Sequence, residues 1–291
     1  MISEIAVWLI VGLPLVAGLV TVSVIRLSGP LAWPFAGLLN VTSTAGAFVL
    51  SLAALQAVQA NESTGPTFEP HIWMVVGDVA SGVGFEMTIG LLLDPLSAIM
   101  AALVSGVSTL VMIYSLGYMR KPGDDVEGVW SDYPRYFAYM SFFTAAMLGL
   151  VLAHNLVQAF VFWELVGLFS YLLIGFWFHR TAAAAAAKKA FIITRIGDFG
   201  FMLALMWLFS HRDQFHAQGL NPFEIPDINA AAPLLTASAA TWAAIGLLAG
   251  AMGKSAQFPL NTWLPDAMEG PTPVSSLIHA ATMVAAGVFL I

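Results

Sequence analysis

Trp242-Ala-Ala-Ile-Gly-Leu-Leu-Ala-Gly-Ala-Met-Gly-Lys254-Ser-Ala-Gln-Phe-Pro259-Leu-Asn-Thr-Trp-Leu-Pro265 is apolar enough to cross a bilayer, yet it carries a lysine at its middle. A cation at the bilayer centre costs about 2.5–3.5 kcal/mol on insertion scales, and it is tolerated mainly where it faces protein or water. Pro259 has no backbone N–H to donate, and its ring clashes with the carbonyl of Ser255. The helix is therefore expected to break one turn beyond the lysine. Irregular backbone at membrane depth persists only where it is buried in protein or lines a wet cavity. Lys254 beside an interrupted helix reads as part of an ion path.

The rest of the chain supplies a membrane setting for that lysine. Of 291 residues, 59% are hydrophobic and 9% charged, with a mean hydropathy of +0.85. Soluble domains carry about 25% charged residues, so this is a polytopic membrane protein. The absence of cysteine excludes a disulfide framework, a thiolate nucleophile and a cysteine-ligated iron–sulfur cluster. The net charge of −7 discriminates little, because the placement of charges matters more than their sum. Residues 1–25 lack a basic leader and a small-residue cleavage site, so they read as an uncleaved membrane helix.

Apolar stretches long enough to span fall at about 5–25, 31–58, 94–118, 135–153, 155–178, 189–209, 234–268 and 274–291. The fold expected is an all-α polytopic membrane bundle with a Pro-broken seventh helix. The alternating runs Ile72–Val76 and Phe85–Ile89, inside the Gly- and Pro-rich stretch 61–90, read as a short extramembrane β-hairpin capping one face. Residues 1–133 form an N-terminal unit of three helices with this outside region. Residues 134–291 form a five-helix unit holding the polar residues.

Orientation follows from the basic residues. Arg26, Arg120, Lys121, Arg135, Arg180, Lys188, Lys189 and Arg195 fall at helix ends on one side, and Arg212 lies on the other. The positive-inside rule makes the first side cytoplasmic and places the N-terminus outside. The alanine run Ala182–Ala187 reads as a helix start at the cytoplasmic interface. No phosphate-binding glycine loop, zinc-protease motif, nucleophile elbow or basic nucleic-acid stripe is present, so a soluble catalytic apparatus and a nucleic-acid partner are not expected.

Four ionisable residues lie within the apolar stretches. Glu164, in the fifth, must protonate or find a partner there. It reads as a relay acid in preference to a static helix tie, with Lys254 as its natural partner. Gly246, Gly250 and Gly253 thin the lysine's helix and are expected to leave room for water. Asp198 follows Arg195 by three residues, which suits an intrahelical pair near the cytoplasmic interface. That placement also suits a proton feed inward. In the last helix Thr272 reads as the N-cap and Pro273 as the first helical residue. Ser275, Ser276, His279, Thr282 and Met283 form a semi-polar stripe, from which His279 can pass protons through either ring nitrogen. Ala280, Ala281, Ala285 and Gly287 form a small-residue face suited to close packing. His154, His179, His211 and His216 read as interfacial, and no metal cluster is evident.

The long stretch Gly253–Gly287 resembles the signature of the antiporter-like membrane subunits of proton-pumping NADH–quinone oxidoreductase, respiratory complex I, most of all the distal L (chain 5) type. Leu93-Asp-Pro-Leu-Ser97 and the Glu164 helix also resemble that family. The resemblance implies two inverted five-helix repeats, each with one broken helix. It puts Glu164 and Lys254 on the family's acid–lysine pair, Asp198 on its cytoplasmic-side acid and His279 on its central-axis histidine. It also implies no redox cofactor in this chain, with NAD, FMN, iron–sulfur clusters and quinone held by partner subunits. The implied partners are other membrane subunits, above all another antiporter-like one, together with the lipid bilayer and protons. A bacterial inner membrane is the expected location.

Against the family pattern, the second repeat, its own broken helix and lysine, and the lateral helix are missing. The sequence therefore reads as the N-terminal part of a longer protein with one half-channel. Protons would enter near Asp198, reach Lys254 under the control of Glu164, and leave along the axis through His279. The large subunit of a multisubunit cation/proton antiporter is the nearest rival; such proteins resemble Lys-Ala-Gly where this chain has Ala285-Ala-Gly287. A non-transporting scaffold, whose buried charges only fix helix register, is the reading from another class.

Overall fold

A computed structural model describes residues 2–25, 28, 33–60, 68–77, 85–119, 132–233 and 235–291. The helices are α1 (Glu4–Val20), α2 (Trp33–Ala60), α3 (Pro95–Tyr118), α4 (Asp132–Val151), α5 (Leu156–Ile174) and α6 (Thr181–Ser210). They continue with α7 (Arg212–His216), α8 (Ile225–Ala231), α9 (Ala237–Lys254), α10 (Thr272–Ser276) and α11 (Met283–Leu290). Among the described residues, six stretches are long and apolar enough to cross a membrane: Glu4–Val24, Pro34–Ala60, Pro95–Tyr118, Leu156–Ile174, Thr181–Ser210 and Thr272–Leu290. The protein is an integral membrane helical bundle.

Of the eight expected spans, the two that fall outside those six are α4 and α9. Helix α4 packs against α1, α2, α3 and α5 and is buried along nearly its whole length, so its surface meets protein and need not be apolar. Exposed apolar side chains lie on the surrounding helices, among them Leu9, Leu110, Ile196 and Met206. A buried polar node locks the N-terminal helices onto α4. The Asn40 amide donates to the Thr21 hydroxyl at 2.7 Å and accepts from Ser141 at 2.5 Å. Such side-chain bonds hold helices together where lipid gives no hydrophobic incentive to associate.

The expected hairpin is present as β1 (His71–Val76) and β2 (Phe85–Ile89), antiparallel, with His71 opposite Ile89 and a register irregularity between Ile72 and Met74. It caps one end of the bundle. His71 Nε2 lies 2.9 Å from Glu4 at the start of α1, and Asn155, the N-cap of α5, donates to the Thr88 carbonyl at 2.7 Å. Gln158 exchanges two bonds with the Gly90 backbone, at 3.0 and 3.1 Å. The first residue of α1, the hairpin, α7 and α8 thus share one face. Arg135, Arg180, Lys188 and Lys189 lie toward the other, as the charge partition requires. Arg26, Arg120 and Lys121 fall outside the described residues.

The cap contains a carboxyl whose protonation bears on its stability. Thr88 on β2 donates to Glu224, just before α8, at 3.4 Å. Burial and the neighbouring Asp227 push the Glu224 carboxyl above the usual carboxylate range, against the Thr88 bond and together with Glu86. A carboxyl raised in this way supports the folded cap below its ordinary pKa and loses that support as pH climbs through the raised value. Amide exchange in β2, corrected for its intrinsic pH dependence, is expected to accelerate across that window. Glu224→Gln should remove the extra acceleration in hydrogen-exchange mass spectrometry.

Three local expectations are corrected. Helix α9 stops at Lys254 itself, not a turn beyond it, and does not resume: residues 255–265 run as turns into one 3₁₀ turn at Asp266–Glu269. Thr272 is the first residue of α10 and Pro273 the second, so Pro271 occupies the cap position and Thr272 makes no cap bond. The last span is also not a plain helix. A π-helical turn, Leu277–Ala281, separates α10 from α11, and Thr282 breaks the backbone while its hydroxyl donates to the Leu277 carbonyl at 2.6 Å.

Candidate functional site: a buried chain of charges

Helices α5, α6 and α9 bring the polar residues together. Helix α6 begins at Thr181, with the alanine run as its opening turns, and is 30 residues long. Arg195 therefore sits at the helix midpoint and not at an interface. The alanine run is the helix start it was read as; the end-of-helix position of Arg195 was wrong because the apolar span was counted only from residue 189. Asp198, one turn on, points inward and is 1% exposed.

Helices α6 and α9 pack at backbone distance through glycines. A Cβ at Gly197 would lie 2.7 Å from the Ala249 carbonyl oxygen and 2.9 Å from the Gly253 Cα, and one at Gly246 would lie 2.7 Å from the Gly200 carbonyl oxygen. A Cβ at Gly250 would lie 3.0 Å from the Phe201 side chain. The glycines of α9 are thus filled by α6 and do not make room for water, contrary to expectation. Their effect is to bring the end of α9 directly against Asp198.

Lys254, the final residue of α9, is fully buried, and its Nζ lies 3.4 Å from Asp198 Oδ2. The lysine's carboxylate is therefore that of Asp198, not that of Glu164. Glu164 on α5 pairs with Arg195, whose other nitrogen contact is Asp198 at 3.9 Å. The order Glu164–Arg195–Asp198–Lys254 alternates in sign and sums to zero, the condition under which charges survive burial. Trp163, adjacent to Glu164, donates its indole N–H to Asp198 Oδ1 at 2.6 Å, and Lys254 Nζ lies 5.7 Å from the centre of that ring. This fixes one oxygen of Asp198 and leaves the other facing the two cations. Lys254 Nζ and Asp198 Oδ2 have no hydrogen-bond partner among the described residues.

Gly167 sets the space around the lysine. A Cβ there would fall 2.5 Å from Lys254 Nζ and 3.8 Å from Arg195 Nη2. The close atom is the tip of a flexible side chain, so alanine at this position displaces the ammonium without breaking the fold. Gly167→Ala is expected to leave protein abundance and the melting temperature in detergent close to the parent's, since a flexible side-chain tip can move aside where backbone cannot.

His279 lies in the π-helical turn, and neither of its ring nitrogens has a hydrogen-bond partner among the described residues. Such turns recur at functional positions in helices. The residue linking it to the lysine is Trp263, whose indole donates to the Gly253 carbonyl at 3.0 Å and whose ring edge meets the imidazole with centroids 6.3 Å apart. The Ser255 hydroxyl donates to the Val284 carbonyl at 2.7 Å, and Gly287 packs against Ala251 and Ser255. Of the expected small-residue face, Gly287 makes the close approach to α9. No group of three or more metal-ligating side chains occurs among the described residues.

Residues 73–137 match the family described as NADH-Ubiquinone oxidoreductase (complex I), chain 5 N-terminus, and residues 153–291 match that described as NADH:quinone oxidoreductase/Mrp antiporter, TM. The NAD(P)H-quinone oxidoreductase subunit 5, chloroplastic, of Chlorokybus atmophyticus is 44% identical over 97% of this chain and 42% of its own length. The corresponding subunit 5 of the organellar chromatophore of Paulinella chromatophora is 51% identical over 73% of this chain and 30% of its own. This chain thus spans less than half the length of these relatives. Among solved structures, an Mrp complex from Dietzia sp. superposes with a TM-score of 0.72 at 28% identity, over 98% of this chain and 27% of that one. An archaeal membrane-bound sulfane sulfur reductase shares the fold, with a TM-score of 0.66 at 20% identity over 99% of this chain and 52% of that one.

Proposed function

This chain belongs to the antiporter-like, chain 5 family of NADH–quinone oxidoreductase membrane subunits, and from that premise we propose that it carries one half of a proton path. The observation that supports this most is the alternating run Glu164–Arg195–Asp198–Lys254 inside the bundle, ending where α9 stops. A proton arriving from the cytoplasmic side neutralises Asp198 and releases Lys254 from its carboxylate. Glu164 acts on Lys254 through Arg195: when Glu164 is protonated, the guanidinium turns its full charge on Asp198 and competes with the ammonium. Lys254 then passes its proton along the axis, by way of the broken segment and His279. At the observed 3.4 Å, Coulomb attraction between the pair is roughly 5 kcal/mol at an effective dielectric constant of about 20. That exceeds the ~2.3 kcal/mol needed to move one charge against 100 mV, so pairing and unpairing is an adequate switch.

In this reading the chain does no redox chemistry. Electron transfer through NAD, FMN, iron–sulfur clusters and quinone takes place in partner subunits, and another antiporter-like subunit is the expected membrane neighbour. The five-helix unit from residue 134 onward carries translocation. The membrane is an energy-coupling one, a bacterial inner membrane or that of a chloroplast, with the hairpin cap away from the basic face.

Asp198→Asn tests the assignment. In vesicles driven by NADH, electron transfer should persist while acidification of the lumen falls by about a hundredfold or more, the low end of what a positioned acid–base group contributes. Unchanged acidification refutes the relay. The likeness to the Mrp complex favours a second reading, cation/proton exchange, which a sodium gradient imposed without NADH would reveal as proton movement.

A further inference from the structure

We propose that a recess between α4, α5 and α6, at the basic end of the bundle, binds the phosphate of an anionic phospholipid. Its volume is about 260 Å³, and Arg135, Tyr139, Tyr171, Phe178 and Lys188 supply its chemistry. The Arg135 guanidinium lies 4.6 Å from the centre of the Phe176 ring and 5.1 Å from that of Phe178, which fixes its plane. Its bonds to the Phe176 carbonyl, at 3.2 Å, and to Asp132, at 2.8 Å, both leave from Nη2. Buried Nε has no hydrogen-bond partner among the described residues. Lys188, exposed on α6, adds a flexible ammonium to this fixed fork, and no acidic side chain lines the recess among the described residues.

Location decides between a lipid and a dissolved anion. Two of its lining residues, Arg135 and Lys188, belong to the end where basic residues gather, and basic pockets between membrane helices on the cytoplasmic side suit anionic head groups. Tyr139 and Tyr171 are half-buried and present ring and hydroxyl together, as residues at the head-group level do. Phe178 is 52% exposed, and with Leu172 it offers an apolar flank for acyl chains. A soluble phosphate would use the cations and leave that flank bare; a phospholipid uses both.

The test places the photoreactive benzoylphenylalanine at position 178 of the full chain in its membrane complex. The complex is reconstituted into phosphatidylcholine vesicles with and without phosphatidylglycerol. After irradiation, lipid adducts are weighed by mass spectrometry. Phosphatidylglycerol should be captured in preference to phosphatidylcholine, and Lys188→Gln should cut its capture about fivefold, the ratio that one lost surface cation is worth. Lys188 is exposed, so this variant keeps the fold. Arg135→Lys, which keeps the charge but loses the planar fork, should also weaken capture. Equal labelling of the two lipids, or labelling untouched by Lys188→Gln, overturns the proposal. So does displacement of phosphatidylglycerol by millimolar inorganic phosphate, which would identify a site for a soluble anion.

Discussion

Lys254→Met abolishes proton translocation and also lowers the amount of assembled protein; both effects are expected, and they separate. The methionine fills the space but leaves Asp198, 1% exposed, facing Arg195 alone at 3.9 Å. Stranding one member of a buried ion pair costs about 3–5 kcal/mol, a large share of a typical stability of about 5–15 kcal/mol. The double variant Lys254→Met with Asp198→Asn removes both charges, and the amide can still accept the Trp163 indole bond. Assembly, read on native gels, should recover in the double variant, while lumen acidification in NADH-driven vesicles should not. If the double variant pumps like the parent protein, the charges only hold the bundle together and the scaffold reading is correct.

The second large effect lies in the packing beneath the charges. Gly197→Val puts a branched side chain where even a single carbon would sit 2.7 Å from a backbone oxygen and 2.9 Å from a backbone carbon of α9. Backbone cannot swing aside as a side chain can, so the two helices must separate. Overpacking of this kind costs typically 1–3 kcal/mol and more where nothing yields. The expected result is a protein that fails to accumulate, or that unfolds at a much lower temperature in detergent. Gly12→Ala is the matched control: a carbon there meets nothing within 4 Å, and alanine is the better helix former. Its melting temperature should equal or exceed the parent's.

Much of the bundle could be read from one sequence because bilayer thickness and helical rise fix the length of a span. The hairpin was legible from alternation at Ile72–Val76 and Phe85–Ile89. The broken seventh helix was legible from Pro259, although the helix ends five residues earlier, at Lys254. The residues of the charge chain were legible singly, as ionisable groups in apolar surroundings. Their pairing between helices was not, because it depends on how α5, α6 and α9 are rotated about their axes, and a single chain carries no direct record of that. Hence Lys254 was matched to Glu164 when it pairs with Asp198. Arg195 was matched to Asp198 by their three-residue spacing, as the structure has it, but it was placed at the interface because the apolar span was counted from eight residues after the helix begins. Trp163 gave no signal beyond standing next to Glu164, since a tryptophan in an apolar helix is unremarkable until its N–H must find an acceptor. The π turn around His279 was equally hidden: Leu277–Ala281 contains neither proline nor glycine to mark it.

Helix α9 is held along its length by α6, backbone to backbone, whereas residues 255–265 make no repeating hydrogen-bond ladder. Side-chain bonds tie that eleven-residue strap from Ser255 to Val284 and from Trp263 to Gly253, Gln257 N–H bonds back to the Met252 carbonyl, and just past its end Asp266 pairs with Lys189 at the surface. A rearrangement at this depth therefore has its hinge in the strap, with α9 as the fixed post. Because Asp266 is moored to the exposed end of α6, anything that grips that surface pair also holds the reins of the buried lysine's neighbourhood.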